Sequence, residues 1–432
     1  MNTIPVTFFW FRRDLRLDDN IALWNALKSD FPVIPLFIFD DEILEQLPKD
    51  DARVTFIYES LQKINLELID FESSIIIRKG KTHQVWFDLI EEYNIEEVYF
   101  NKDYEPYALQ RDSEISALLS SNKVKVSVFK DHVIYEESEI TKADGLPYTI
   151  YTPYKNKWVE KFETLKQQPL DELKNNSSNF YKSNFSFLTL ESIGFVRSSI
   201  SVREHNLKGV ATYEETRNFP SLDSTTYLSP HLRFGTVSIR KLAHWASHKN
   251  ATFLNELVWR EFFMQILFHF PNSVNHNFKS AYDGIQWRNN PEEFKLWCEG
   301  KTGYPMVDAG MRQLNETGYM HNRVRMVVAS FLCKHLLISW QWGEAYFAEK
   351  LLDFELASNV GNWQWAAGTG CDSAPYFRVF NPEIQLKKFD AKGEYVRTWI
   401  SEFDLGYGKP MVEHAMARDR ALTAYKTGLQ QK

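Results

Sequence analysis

Short runs of consecutive apolar residues recur through the first 130 positions: VTFFW from Val6, VIPLFIF from Val33, SIIIR from Ser74, EVYFN from Glu97 and VKVSVF from Val124. Runs with no polar alternation belong to strands buried on both faces. Between them the spacing turns helical, over 52–70, 82–93 and 105–121, and the alternation of strand and helix predicts a parallel sheet with right-handed crossovers. The expected first domain is therefore an α/β, doubly wound parallel sheet over 1–130. No GxGxxG follows its first strand, so nothing marks a dinucleotide site there. From 131 to 205 the pattern loosens, which predicts an interdomain linker over that range, and within it KNNSSNFYKSNFSF, from Lys174 to Phe187, is polar enough to be an exposed linker. Beyond it long 3.6-period segments are jointed by Pro, Gly and Asn, which predicts an all-α domain over 206–432.

Composition narrows the class. The chain has 432 residues, 44% hydrophobic and 25% charged, with aromatics raised to 15%. It contains no apolar run long enough to span a bilayer, and its start lacks the basic region of a signal peptide, so neither a membrane partner nor export is expected. Three cysteines, Cys298, Cys333 and Cys371, are odd in number and share no metal-ligand spacing. A monomeric protein of the reducing cytoplasm, without disulfide or metal site, is the expectation. The net charge of -7 disfavours a nucleic-acid partner until it is localised: residues 1–205 hold 24 Lys+Arg against 34 Asp+Glu, whereas 206–432 hold 26 against 23. Any site for phosphates should lie in the second half.

Four stretches there carry chemistry. GNWQWAAGTGCDSAPYFRVFNP, from Gly361, sets Trp363 and Trp365 beside a glycine-bracketed polar turn and a basic, amide-rich tail; tryptophan brings a large π-face and one donor, although core packing accounts for most such residues. TTYLSPHLRFG, from Thr225, predicts a helix with Ser229 at its N-cap and Pro230 at its first position, either an ordinary cap or a cradle for a pyrophosphate. NELVWR, from Asn255, puts Glu256, Trp259 and Arg260 on one helix face. As structure, Glu256 and Arg260 make a surface ion pair worth at most about 0.5 kcal/mol; as function, the face offers an acceptor, a stacking plate and a phosphate clamp for a flipped-out base. GYMHNRVRMVVASF, from Gly318, places Asn322 and Met326 on one face, with Arg323 and Arg325 turned to different sides. Asp353 is the expected partner of Arg325, and His321 reads as a structural histidine.

Assembled, these residues resemble the DNA photolyase and cryptochrome family, closest to the bacterial class I cyclobutane pyrimidine dimer photolyases. The likeness runs from FFWFRRDLRLDDN at Phe8 to EHAMARDRALTAYK near the end and is carried by GKTGYPMVDAGMRQL, GYMHNRVRM and GNWQWAAGTGCDSAPYFR. It implies a photolyase-like architecture, an α/β antenna-type domain and a helical domain holding a U-shaped FAD. The positions matching flavin contacts are Tyr213, Thr225, Thr226, Tyr227, Leu228, Ser229, Trp259, Arg325, Asp353, Phe354, Glu355 and Asn359, the last expected beside the central flavin ring. Those matching the lesion pocket are Arg217, Glu256, Trp259, Arg260, Asn322, Arg323, Met326, Trp365, Arg378 and Gln385. Trp363, Trp340 and Trp287 match the chain of tryptophans that carries electrons to the flavin; from sequence alone Trp287 and Trp340 read as core.

The activity this resemblance implies is light-driven DNA repair by a carbon-carbon lyase, in which photoexcited reduced FAD lends an electron to a flipped-out pyrimidine dimer in UV-damaged DNA. The competing expectation is a cryptochrome-like blue-light receptor that binds FAD without repairing. Asn322 and Met326 stand where a six-four photolyase would show a histidine pair, and Asn359 where plant cryptochromes usually place Asp. Two departures stand out: Asp353-Phe354-Glu355 replaces the family's Asp-Gly-Asp, and Tyr107 and Ala108 replace the Asn-Glu that contacts folate in some relatives. A folate, a deazaflavin, a second flavin or no antenna all stay open.

Overall fold

The computed structural model describes residues 2–165, 170 and 177–430. Five parallel strands, β1 (Asn2–Phe11), β2 (Val33–Asp40), β3 (Ile76–Gly80), β4 (Tyr93–Asn101) and β5 (Lys125–Phe129), lie in the order β3-β2-β1-β4-β5. The period of two in a strand sends alternate side chains to opposite faces. Phe9, Phe11, Phe37, Phe39 and Ile77 pack on one side with Val54, Leu61, Ile64 and Leu68 of the helix Ala52–Ile69. Val6, Phe8, Trp10, Leu36 and Phe100 pack on the other with Trp86 and Leu89 of Thr82–Glu92 and Ile115 and Leu119 of Pro106–Ser121. Two covered faces explain why the strands are unbroken apolar runs, and they make the sheet doubly wound.

The chain divides into two compact units that interleave along the sequence. One comprises Met1–Glu139, Glu160–Glu204 and Leu228–His248, the other Ile140–Val159, His205–Tyr227 and Lys249–Lys432. Residues 131–205 are thus shared between the units. Of the stretch expected to be an exposed linker, 174–176 lie outside the described residues, and the remainder departs from that expectation. Phe180 is buried and forms a parallel bridge with Val33, Tyr181 N–H donates to Val33 O at 2.9 Å, and Phe71 stacks on Phe180. The physical reason is the set of aromatic rings, Phe180, Tyr181, Phe185 and Phe187, scattered through a polar sequence; each finds the apolar flank of the sheet.

The first unit also buries a charge cluster. Asp131 accepts from Arg16 Nη2 at 2.8 and 2.9 Å and from Arg240 Nη2 at 2.8 Å, and Arg240 also pairs with Asp19 at 3.0 Å. Burial pushes the Asp131 carboxyl up, but the Arg16 and Arg240 guanidiniums outweigh it and hold its pKa at about 2. Beside it Asn101 Nδ2 donates to Asp14 at 2.6 Å and to Asn20 at 2.8 Å.

The second unit is helical in its described regular elements. Its core gathers Val307 and Met311 of Pro305–Thr317, Val324 and Val328 of Asn322–Ser330, Trp340 and Phe347 of Trp340–Lys350, and Val360 and Trp363 of Leu356–Ala367. Two glycines set how closely these helices approach. A Cβ on Gly343 would overlap the Trp363 ring, and one on Gly361 would overlap the ring of Phe263, so the helix 356–367 is pressed against its neighbours on two sides.

Candidate active site

Two helices of the second unit each present one stripe to a common cavity. Asn322, Arg325, Met326 and Ala329 stand at i, i+3, i+4 and i+7 on one, and Asn359, Asn362, Trp363 and Ala366 repeat that spacing on the other. The 3.6-residue period is what gathers them. Phe347, Leu351, Asp353, Phe354, Glu355, Ser358 and Trp365 complete a cavity that opens to solvent. Asn322, Arg325, Met326, Asp353, Phe354, Glu355, Asn359, Trp363 and Trp365, all named from the sequence, therefore meet at one place.

The polar groups of this cavity are held from behind. Arg325 donates through Nε to Met320 O at 2.8 Å and through Nη2 to Asp353 at 2.9 and 3.2 Å. The expected Arg325–Asp353 pair is present, and its guanidinium is fixed at both ends. Asn359 donates through Nδ2 to Glu344 O at 3.0 Å and to Glu344 Oε1 at 2.8 Å. Both partners are acceptors, which assigns the amide's orientation and leaves Oδ1 as the group Asn359 offers to the cavity. Burial raises the Glu344 carboxyl, and the Asn359 bond draws it partly back. Ser358 Oγ donates to Glu355 Oε2 at 3.2 Å.

The helix Ala251–His269 corrects one expectation. Glu256 and Arg260 share its face but do not pair with each other. Glu256 takes Arg217 at 2.5 Å and Arg260 takes Glu355 at 3.2 Å. For Arg260, the more deeply buried carboxylate of Glu355, at the start of the neighbouring helix, is favoured over the partly buried Glu256 one turn away, because low dielectric strengthens the attraction. Trp259, half-buried, stacks on Tyr151 with ring centroids 3.5 Å apart and planes 8° from parallel.

The helix predicted at Ser229 also begins earlier. It spans Leu228–Arg233, so Ser229 sits in its first turn instead of at the N-cap. Tyr227 just before it adopts a left-handed φ of 54°, and the helix begins two residues sooner than the Ser-Pro signal suggests. Leu228 and Ser229 belong to the first unit; Thr225, Thr226 and Tyr227 belong to the second, where Tyr227 meets the Tyr319 ring at 5.2 Å. Tyr213 packs edge-on against Phe253, with the Arg217 guanidinium 5.0 Å from its ring.

The remaining named residues lie outside the cavity lining. Arg323 donates to Asn218 Oδ1 at 2.6 Å and covers the Phe389 ring at 4.3 Å. Arg378 is exposed, and Gln385 Oε1 is buried without a hydrogen-bond partner. Trp340 is buried and donates to Asn277 at 2.9 Å; Trp287 packs edge-on against Tyr425 at 5.9 Å. Trp363, itself part of the cavity lining, meets Phe347 at 4.9 Å and Trp297 at 6.1 Å. His321 caps the helix 322–330, its Nδ1 accepting from Arg323 N–H at 3.1 Å. Burial and the guanidiniums of Arg323, Arg325 and Arg217 lower its pKa to about 4, so the ring is neutral, as an accepting cap must be.

Sequence reasoning missed Glu344, Tyr151, Ser358 and Asn362. Asn362 was within reach, three residues after Asn359 on the same face; Glu344 and Tyr151 carry no local signal, since their partners lie on other elements.

A cavity walled by aromatic rings, with a fixed guanidinium–carboxylate pair and amide side chains converging on it, suits a large planar cofactor with polar edges, and these features define the class as a flavoprotein. Residues 253–405 match the FAD binding domain of DNA photolyase, and residues 7–174 match DNA photolyase. The chain is 35% identical to the deoxyribodipyrimidine photo-lyase of Agrobacterium fabrum, over 98% of each chain. Its structure is similar to a bacterial class III photolyase from Agrobacterium tumefaciens (TM-score 0.85, 32% identity, 100% of this chain and 99% of that one). It is also similar to an archaeal photolyase from Sulfolobus tokodaii with two FAD molecules (TM-score 0.83, 31% identity, 98% and 100% covered). The chain belongs to the DNA photolyase family.

Proposed function

We propose that this protein is a light-driven DNA-repair lyase that uses bound FAD to split cyclobutane pyrimidine dimers. The observation that carries the reading is the pair of helical stripes on one cavity: Asn359, Asn362 and Trp363 on one, Asn322, Arg325 and Met326 on the other. The first set, with Arg325–Asp353, Ser358 and the Phe354 ring, would hold the flavin. When bound and reduced, FAD supplies the light-excited electron that opens the cyclobutane ring and recovers it afterwards. Asn359, locked by Glu344, would present Oδ1 as an acceptor to the flavin edge. Trp363, deep in the core beside Gly343, would connect the flavin with Trp340 and Trp287 for reduction.

Asn322, Met326 and Trp365 would face the lesion at the same cavity. A dimer stacks poorly in duplex DNA, so extruding it costs less than flipping ordinary bases, which is a source of selectivity. Trp259 would stack on it and Glu256 bond it, while Arg378, exposed, would meet phosphate and Gln385 Oε1, buried without a partner, a ligand N–H. Arg217 and Arg260 are engaged by Glu256 and Glu355, so we assign them first to holding those carboxylates in place and only secondarily to phosphate. Among the described residues no helix is long and apolar enough to cross a membrane.

The test is repair of a defined thymine dimer in a short oligonucleotide by chemically reduced flavoprotein under blue light. Light-dependent recovery of intact thymines is expected. No recovery with FAD bound and reduced would transfer the reading to a photoreceptor.

A further inference from the structure

Trp259 is one of the large aromatic side chains of the second unit that is only half-buried, yet one face of its indole is already occupied by the protein. The Tyr151 ring lies on it at contact distance and almost parallel. Tyr151 is itself buried and pinned at both ends: its hydroxyl donates to Asn255 O at 2.8 Å, one turn before Trp259 on the same helix, and its N–H donates to Asp372 Oδ2 at 3.2 Å. Further along that helix Phe263 also stacks on Trp259, with centroids 5.5 Å apart and planes 29° from parallel, and Phe263 is in turn held against Gly361. Gly361 lies two residues after Asn359 and four before Trp365.

We infer that Tyr151 is a positioning residue for lesion recognition: with Phe263 it fixes the indole plane of Trp259 before DNA arrives, and a base can stack only on the part of that ring the two neighbours leave uncovered. The physical argument is preorganisation. A half-exposed indole has several rotamers, and stacking a base on it costs the entropy of choosing one; a ring already clamped by a parallel neighbour has lost that freedom during folding. The hydroxyl bond to Asn255 O ties the clamp to the helix that carries Trp259, so ring and helix keep one register. The assignment rests on Trp259 being a lesion contact, as proposed above.

The experiment compares Tyr151→Ala, Tyr151→Phe, Trp259→Ala and the double variant Tyr151→Ala/Trp259→Ala in binding to a dimer-containing and an undamaged oligonucleotide. Bound FAD is measured by absorbance in each. Tyr151→Ala is expected to lose roughly tenfold in affinity for the dimer oligonucleotide, the scale of an aromatic pair, with FAD content and affinity for undamaged DNA unchanged. Tyr151→Phe, which keeps the stack, should restore most of that loss, and the double variant should bind no worse than Trp259→Ala alone. Full dimer affinity in Tyr151→Ala, or additive losses in the double variant, would overturn the inference. Should Tyr151→Ala fail to fold, a Tyr151→Phe loss as large as that of Trp259→Ala would overturn it equally, since the ring would then not be the operative part. Unchanged dimer affinity in Trp259→Ala would instead remove the underlying site reading.

Discussion

In the first unit the Arg16 guanidinium reaches Asp131 at 2.8 Å, and in the second the Arg325 guanidinium reaches Asp353 at 2.9 Å. The bond lengths nearly agree, but the surroundings do not. Arg16 and Asp131 side chains are 7% and 1% exposed and share their cluster with Arg240 and Asp19; Arg325 is 27% exposed and stands at the wall of an open cavity. Charges that turn inward and use one another specify packing. Charges held from behind, with one side facing empty space, are available to a ligand. The same contrast separates Asn101, bonded to Asp14 and Asn20, from Asn359, whose amide hydrogens are committed and whose Oδ1 is left to the cavity.

Trp363→Phe gives the sharpest break of this comparison. Light-driven reduction of bound FAD should be lost, while repair by chemically reduced protein persists; loss of both would mean that Trp363 serves the cavity's structure and not electron supply. Asp131→Asn should do the reverse. Leaving Arg16 and Arg240 without their carboxylate should cost about 3–5 kcal/mol in denaturant unfolding, with FAD bound per folded molecule unchanged, and a cost below about 1 kcal/mol would show that the cluster is not closed on itself. His321 contributes a pH effect whose sign follows from its lowered pKa. Between the ordinary value of 6.5 and about 4 the unfolded chain binds a proton that the folded chain refuses, so stability should fall as pH drops through that window. At about 1.4 kcal/mol per unit, the loss is at most about 3.5 kcal/mol. In His321→Asn, which keeps an accepting cap, urea unfolding should lose this part of the pH dependence. The smallest expected effect belongs to Trp259→Ala, about 1 to 3 kcal/mol of affinity for dimer-containing DNA, one base–aromatic stack, measured by titration at fixed salt.

How much of this was legible beforehand depended on distance along the chain. The five strands were readable because burial on both faces leaves an unbroken apolar run, and the crossover helices because their period is local. The Asn322–Met326 face followed from four-residue spacing, and Arg325–Asp353 from opposite charges in neighbouring segments. Trp340 reads as core and is 2% exposed. The pairs Arg217–Glu256, Arg260–Glu355, Asn359–Glu344 and Tyr151–Trp259 were not readable, since each joins elements whose meeting is decided by packing. Local spacing suggested the wrong partner for Glu256 for this reason. The aromatic stretch from 177 to 187 was misjudged because average polarity hid four rings able to dock on the sheet.

The central claim is that the cavity between the two stripes holds the flavin and receives the lesion. A crystal structure of the protein with FAD and a thymine-dimer oligonucleotide tests it most directly. The flavin ring should lie in the cavity with its edge at Asn359 Oδ1 and the dimer beside Asn322, Met326 and Trp365. Flavin bound elsewhere, or a dimer that leaves these side chains untouched, would contradict the account.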